Sequence, residues 1–459
     1  MASQILVPIA ATFLCYLLLW ASRILHHNLT SPLRHVDGPK NPSLLYGNFK
    51  DMGEDPNLTT KWRNEFGANF RFRGLFSTSE LHTSDLKAIN HIVARADIYR
   101  KPPSNRASLR LLLGKSILSE EFDEHKRYRR VMNPAFGVAQ IRVVTEIFVE
   151  NAVQLRDIWA RQVAQQNGTG RVEVLSWLRH LTLDIIGQAG FNYQFGALDT
   201  DRKSNELDAV FAELFHSPHA SRYNRFRLAQ AMVPLLRLVP VPGQNLIRAA
   251  RDKMYAIGGQ IVLKTKADIK ASEGEKDLVG RRDLLHLGTH RQSHNFADFT
   301  AEIPTFFFAG HETTSSGTAW ALHALSANTA AQTKLRAELM TMSTDNPTME
   351  ELNSLPYLEH VRMATEDDIM PLSKPYIDKE GKSHDSLTIP KGQIIHIPIL
   401  AINTDREIWG QDATEFRPER WEKIPHSASG IPGIWANLLT FFAGPHNCIG
   451  FRFSLVECV

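Results

Sequence analysis

The chain of 459 residues has few cysteines, little net charge and no internal repeat. Its three cysteines, Cys15, Cys448 and Cys458, are too few for the disulfide framework of a secreted scaffold. A formal net charge of +3 lacks the basic excess of nucleic-acid-binding proteins, so we expect no nucleic-acid partner. No long Pro/Ser-rich linker divides the sequence. These absences favour an intracellular enzyme with one large, mostly helical domain.

One long apolar run is present, from Ile5 to Leu25, and it can cross a hydrocarbon layer of ~30 Å. No Lys or Arg precedes the run, whereas basic residues follow it, so the positive-inside rule predicts that the rest of the chain is cytosolic. A cleaved signal peptide is the alternative, but the run has no basic N-terminal region and no Ala-x-Ala cleavage site. We predict a membrane anchor over residues 1–27, a Pro-rich tether over residues 28–48, and unused glycosylation sequons at Asn28, Asn57 and Asn167.

A lone cysteine stands in a glycine-rich segment near the C-terminus, FFAGPHNCIG at 441–450. The residues from Phe451 read as the start of a helix, whose free N–H groups and dipole would lower the pKa of Cys448 and favour its sulfur as an anionic ligand. Gly444 and Gly450 would let the backbone approach a flat cofactor. A single cysteine does not suit zinc, which needs three or four ligands, but it suits iron already held by a porphyrin. The alternative is a buried cysteine in a tight turn.

This segment resembles the haem-binding loop of the cytochrome P-450 family, whose pattern is Phe-x-x-Gly-x-Arg/His-x-Cys-x-Gly. The pattern positions are occupied by Phe441, Gly444, His446, Cys448 and Gly450. The resemblance implies that Cys448 is the axial ligand of haem iron and that the other four belong to the cofactor site. It also implies that His446 serves a haem propionate, as a weaker contact than the usual arginine. Cys458 is interpreted as a packing residue.

A second motif lies in the middle of the chain, FFFAGHETTSSG at 306–317, within a predicted long buried helix. Ala309 and Gly310 would thin this helix and leave room for a ligand beside its backbone. Glu312 and Thr313 place an acid next to a hydroxyl, which can bond back to the carbonyl four residues earlier. The motif resembles the oxygen-activation motif of the same family. That resemblance implies that Glu312 and Thr313 are catalytic and pass protons to bound oxygen.

Three further segments support the resemblance. His125 and Arg129 match a family helix of pattern Trp-x-x-x-Arg, and positions i and i+4 share a helix face, so both are interpreted as binding haem carboxylates. The FRPERW segment at 416–421 resembles the family's meander and places Arg420 at its arginine. The apolar stretch 210–243 is interpreted as a substrate lid that touches the bilayer.

One part of the family pattern is damaged. Glu359 and Arg362 formally match the family's Glu-x-x-Arg helix, but they follow Pro356 too closely and lack the expected apolar sequel. We interpret them as a coincidental match beside a missing segment, and we expect the domain over 49–459 to be incomplete at its C-terminus. Without those partners, Arg420 would keep an unmatched charge. We therefore expect the chain as written to hold haem poorly.

The resemblance implies a mainly α fold with a small β lobe, preceded by an N-terminal transmembrane helix. It implies a single-pass haem-thiolate monooxygenase of the endoplasmic reticulum membrane, in contact with membrane lipid, with its catalytic domain in the cytosol. The implied partners are O2, an apolar small-molecule substrate and an NADPH-dependent flavoprotein reductase, since no flavin or nicotinamide motif occurs in this chain. Two alternatives stay open: a haem-thiolate isomerase or dehydratase, and a degenerate non-catalytic copy.

Overall fold

The computed structural model describes residues 2–55, 57–168, 170–199, 230, 239, 244–272, 302–340 and 360–458. The chain divides into two compact units. The first comprises residues 1–102, 357–415 and 420–447, and the second comprises residues 103–356, 416–419 and 448–459. The predicted lid over 210–243 is described only at residues 230 and 239, and residues 355–359 lie outside the described part.

The first unit contains all the strands that the described residues form. Its helices are α1 (Ala2–Thr30), α2 (Phe49–Glu54), α3 (Leu58–Phe66), α4 (Leu86–Ala94), α12 (Ile399–Asn403) and α13 (Arg406–Trp409). Its strands are β1 (Asn69–Arg73), β2 (Ser79–Thr83), β3 (Tyr99–Arg100), β4 (His360–Ala364), β5 (Asp368–Ile377), β6 (Ser383–Ile389) and β7 (Ile394–Ile397). One sheet has the order β1-β2-β7-β4-β3, and β5 pairs with β6 in a separate two-stranded sheet.

Helix α4 joins the two-stranded sheet through one carboxylate. The Asp85 side chain accepts hydrogen bonds from the N–H groups of Lys87 and Ala88, which caps the helix. The same carboxylate accepts bonds from the backbone N–H and the hydroxyl of Ser373 on β5. A single buried acid therefore fixes both where α4 begins and where β5 lies.

Helix α1 runs without interruption across the predicted anchor boundary at residue 27. Within the described part of the chain, no helix combines the length and apolar composition needed to cross a membrane. Near its end, the Asn28 side chain donates to the carbonyl of Ser77, and the Trp20 ring meets the Phe76 ring edge-on at 4.9 Å. The end of α1 thus contacts the turn between β1 and β2.

The described residues of the second unit form helices and connecting loops, with no strand among them. Its helices are α5 (Pro103–Leu113), α6 (Phe122–Met132), α7 (Val138–Gln165), α8 (Val174–Phe191), α9 (Gln244–Ser272), α10 (Ile303–Ala327), α11 (Thr329–Leu339) and α14 (Phe451–Cys458). Together with the strands of the first unit, these helices confirm the predicted fold class, mainly α with a small β region. Helix α10 contains the predicted mid-chain motif, and α14 begins at the predicted residue, Phe451.

Helices α8 and α10 pack closely and hold the centre of the second unit. The Thr182 hydroxyl on α8 donates to the carbonyl of His311 on α10 at 2.8 Å. The Phe307 ring is fully buried and meets the Phe191 ring at 5.2 Å in an edge-on contact. Phe306 is also buried, against Phe136, so both phenylalanines belong to the core.

Candidate functional site

Cys448 lies three residues before α14 and is both accessible and closely surrounded. Its side chain is exposed to solvent, yet burial by the surrounding protein raises the pKa of its thiol. The backbone N–H of Gly450 and the charge of Arg129 oppose the rise. The prediction that the Cys448 pKa is lowered is therefore wrong for the protein without a bound group, because burial of the thiol outweighs the effect of the helix N-terminus.

The residues around Cys448 fit a haem group. Among the described residues, no group of three or more His, Cys, Asp or Glu side chains could hold a metal ion. Porphyrin would supply the other ligands of an iron held by the Cys448 sulfur. An added Cβ at Gly450 would meet nothing closer than the Phe136 ring at 3.7 Å, so the backbone there stays open to a flat group. A bound metal would also keep the thiol deprotonated against the effect of burial.

Helix α6 brings positive charge toward the cysteine. Burial lowers the pKa of Arg129, and the Cys448 thiolate opposes that shift, so the two groups interact within the second unit. His125, one turn earlier on the same helix, is buried at 5% exposure. The predicted pair thus lies on the inner side of α6, with Arg129 placed to neutralise an anion near the sulfur.

The remaining loop residues, Phe441, Gly444 and His446, lie in the first unit. Phe441 is half-buried, with its ring edge-on to Trp435 at 6.1 Å. Gly444 has φ +64°, and an added Cβ would lie 2.7 Å from a methyl carbon of Val93. Glycine is therefore required at 444 by the backbone and by α4, a reason that differs from the predicted approach to a cofactor. The His446 ring is half-buried.

Helix α10 presents Thr313 to open space. Thr313 is exposed although Thr314 and Ser315 beside it are buried, and its hydroxyl donates to the carbonyl of Ala309 at 2.6 Å. This is the predicted bond to the carbonyl four residues earlier. At Gly310 the predicted ligand space is absent, because an added Cβ would lie 3.1 Å from the Ile186 side chain of α8. Gly310 therefore serves helix packing.

Glu312 has a partner that the sequence analysis missed. Its carboxylate lies 3.4 Å from Nε of Arg179 on α8, and both side chains are largely buried. The ion pair aims the acid from α10 toward α8. Arg179 lies 133 residues before Glu312, and no local pattern in the sequence links them.

Two predictions about the damaged segment have clear outcomes. Arg362 lies in β4, which pairs with β7 with Arg362 opposite Ile395, so it belongs to a strand and its match to a helical motif was coincidental. The expected unmatched charge on Arg420 is wrong. The Arg420 guanidinium donates to the carboxylate of Asp412 at 2.9 Å and to the carbonyls of Trp409 and Asp412.

Cys458 differs from Cys448 in its surroundings. The Cys458 sulfur accepts a hydrogen bond from the Thr318 hydroxyl at 3.4 Å, within the contact between α14 and α10. Burial raises the pKa of this thiol to about 11. A thiol held in a helix contact with so high a pKa is a poor ligand, which agrees with its predicted packing role.

Known proteins match this chain over nearly its whole length. The family model described as Cytochrome P450 matches residues 37–458. Cytochrome P450 monooxygenase 205 of Postia placenta is 43% identical over 457 residues, covering 93% of this chain and 84% of the relative. Cytochrome P450 monooxygenase 128 of the same fungus is 42% identical over 476 residues, covering 96% and 87%. Cytochrome P450 monooxygenase claQ of Ampulloclitocybe clavipes is 33% identical, covering 97% and 87%.

The second of these alignments is longer than the chain itself, 476 residues against 459. The relative therefore carries residues that this chain lacks within the aligned region. This agrees with the expected missing segment.

Proposed function

Because the chain belongs to the cytochrome P450 family and is a haem-thiolate monooxygenase, we propose that it inserts one atom of O2 into an apolar small molecule at a membrane surface. Its electrons come from NADPH through a separate flavoprotein reductase. The observation that carries the proposal is the exposed Cys448 thiol, whose thiolate form the charge of Arg129 on α6 stabilises. The substrate class follows from the family resemblance.

When bound, haem supplies O2 activation and oxygen transfer. The chain contributes the groups that hold haem and move protons. Cys448 provides the sulfur ligand, and the Gly450 N–H and the Arg129 charge stabilise its thiolate form. Within the second unit, His125 and Arg129 on α6 are placed to bind haem carboxylates.

Proton delivery is assigned to Glu312 and Thr313. The Glu312 carboxylate, held by Arg179, takes a proton from solvent and passes it to the hydroxyl oxygen of Thr313. Thr313 then presents its proton to the open space that it faces. The bond from its hydroxyl to the Ala309 carbonyl sets the rotamer from which it acts.

Replacing Thr313 with Ala should preserve haem binding but divert reducing equivalents to peroxide. Product formed per NADPH should fall by roughly tenfold or more, since a positioned proton donor typically contributes about 10²- to 10⁴-fold. Thr333→Ala is the matched control, because it removes the same type of hydroxyl-to-carbonyl bond from α11. Equal coupling in Thr313→Ala and wild type would remove Thr313 from the mechanism.

We further propose that the chain is anchored in the endoplasmic reticulum membrane by α1, with the catalytic units in the cytosol. Several leucines of α1 are solvent-exposed and available to lipid: Leu14 at 57%, Leu18 at 61% and Leu19 at 63%. Basic residues follow the apolar run, and none precedes it.

Deletion of residues 1–30 should move most of the protein from membranes to the supernatant. In eukaryotic microsomes, the full chain should show no glycosidase-sensitive mass shift at Asn28, Asn57 or Asn167, because these sequons face the cytosol. A sequon fused before the first residue is the positive control, and it should be glycosylated in the lumen. A glycan on Asn57 or Asn167 would place the catalytic units on the wrong side of the membrane.

A further inference from the structure

The helix that follows the cysteine loop meets α10 through polar side chains. The hydroxyl oxygens of Thr314 on α10 and Ser454 on α14 lie 3.3 Å apart. One turn further on, the Thr318 hydroxyl donates to the Cys458 sulfur. We call Thr314, Thr318 and Ser454 the hydroxyl seam. Such polar groups between packed helices are unusual in a core unless each has a partner.

Glu457 of α14 is buried against this seam. Both of its carboxylate oxygens are inaccessible to solvent, and neither has a full hydrogen bond within the described part of the chain. No ion pair among the described residues includes it. Burial raises the pKa of Glu457 well above its ordinary value, and the nearby Thr314 hydroxyl offsets only part of that rise. Burial therefore favours the neutral carboxylic acid, which has an O–H to donate, over the carboxylate.

The seam is connected to the cysteine sulfur by two backbone hydrogen bonds. The Ser454 N–H donates to the carbonyl of Gly450 at 2.9 Å, which ties the first turn of α14 to the loop. The Gly450 N–H in turn donates to the Cys448 thiolate and lowers its pKa. A shift of Ser454 would therefore move the residue that supplies the hydrogen bond to sulfur.

We propose that the buried Glu457 donates a hydrogen bond to the Thr314 hydroxyl and thereby fixes Ser454 and the Gly450 N–H relative to the Cys448 sulfur. Glu457 is a positioning residue, since it acts on the iron ligand through three other groups. The inference rests on the proposed function in one respect, that Cys448 is the ligand. Hydrogen bonds to a ligand sulfur tune the reduction potential of the metal, so Glu457 would influence the potential of a haem held at Cys448.

The test compares the haem-loaded full chain with Glu457→Gln, Glu457→Ala and Val456→Ala. Val456 is a buried apolar neighbour on α14, so its truncation loosens packing without removing a hydrogen-bond donor. In infrared spectra at neutral pH, wild type should show a carboxylic-acid carbonyl band that Glu457→Gln lacks and that shifts in D2O. Glutamine keeps a donor toward Thr314, so Glu457→Gln should retain the wild-type reduction potential.

Glu457→Ala should shift the reduction potential. It should also lose the thiolate-type CO spectrum roughly fivefold faster than wild type, which is the rate change expected for the loss of about one hydrogen bond. Val456→Ala should leave the potential unchanged. The proposal is overturned if the wild-type band is that of an ionised carboxylate, or if Glu457→Ala and Val456→Ala shift the potential equally. Should Glu457→Ala fail to fold, the infrared comparison with Glu457→Gln still decides. The infrared band does not depend on which cysteine binds iron, so its outcome is separable from a failure of the proposed function.

Discussion

Replacing Cys448 with Ala should abolish the thiolate-type CO difference spectrum of the reduced protein and, with it, monooxygenase turnover. Cys448 is the one cysteine of the loop over 441–450, and the Arg129 charge would no longer face a thiolate there. Haem retained by Cys448→Ala should show the spectrum of a protein without thiolate ligation. The measurement is the CO difference spectrum together with the haem content per chain.

Cys458→Ala is the matched control for this experiment. Its thiol is bonded to Thr318 in the contact of α14 with α10, so its loss should leave the thiolate-type spectrum intact. If Cys448→Ala kept the thiolate-type spectrum, or if Cys458→Ala alone lost it, Cys448 would not be the iron ligand. The interpretation of residues 441–450 as the haem-binding loop would then be wrong.

The cysteine loop and the helix after it were predictable because the chemistry is encoded locally. Ten consecutive residues combine the sulfur, the glycines and the start of α14, and the structure places α14 where the pattern predicted. The same holds for α10, whose apolar run of small and aromatic residues indicates a buried helix. Local patterns also predicted the Thr313 bond to Ala309, since such a bond needs only one helical turn.

Partners that are distant in sequence could not be predicted. Arg179 pairs with Glu312 only because α8 and α10 pack together, and Ile186 occupies the space beside Gly310 for the same reason. The thiol pKa was mispredicted because the helix terminus is visible in the sequence, whereas the degree of burial is not. The Arg420 guanidinium binds the Asp412 carboxylate within its own unit, so its charge is compensated without the expected missing segment.

The ion pair of Arg420 removes one reason to expect poor haem binding. The expectation of poor haem binding rested partly on an uncompensated charge, and that charge is compensated by a carboxylate and two carbonyls. Cys448 and the motif on α10 both lie within the described part of the chain.

Glu312→Gln should reduce turnover by about a hundredfold while leaving haem content and substrate binding close to wild type. Glutamine keeps the shape of the side chain and its contact with Arg179 but cannot release or take up a proton. The expected size is the lower range for loss of a positioned acid or base. The measurement is product formation with a reductase, NADPH and saturating substrate, in H2O and in D2O.

Three companion variants separate proton transfer from packing. Glu312→Asp retains the acid and should recover part of the activity, whereas Glu415→Gln alters an exposed carboxylate and should behave as wild type. Arg179→Met should reduce turnover less than Glu312→Gln, because it removes the ion pair with Arg179 but keeps the Glu312 carboxylate. If Glu312→Gln matched wild type in both rate and solvent isotope effect, the proton would have to reach Thr313 by another route, and Glu312 would be a packing partner of Arg179 rather than an acid in the reaction.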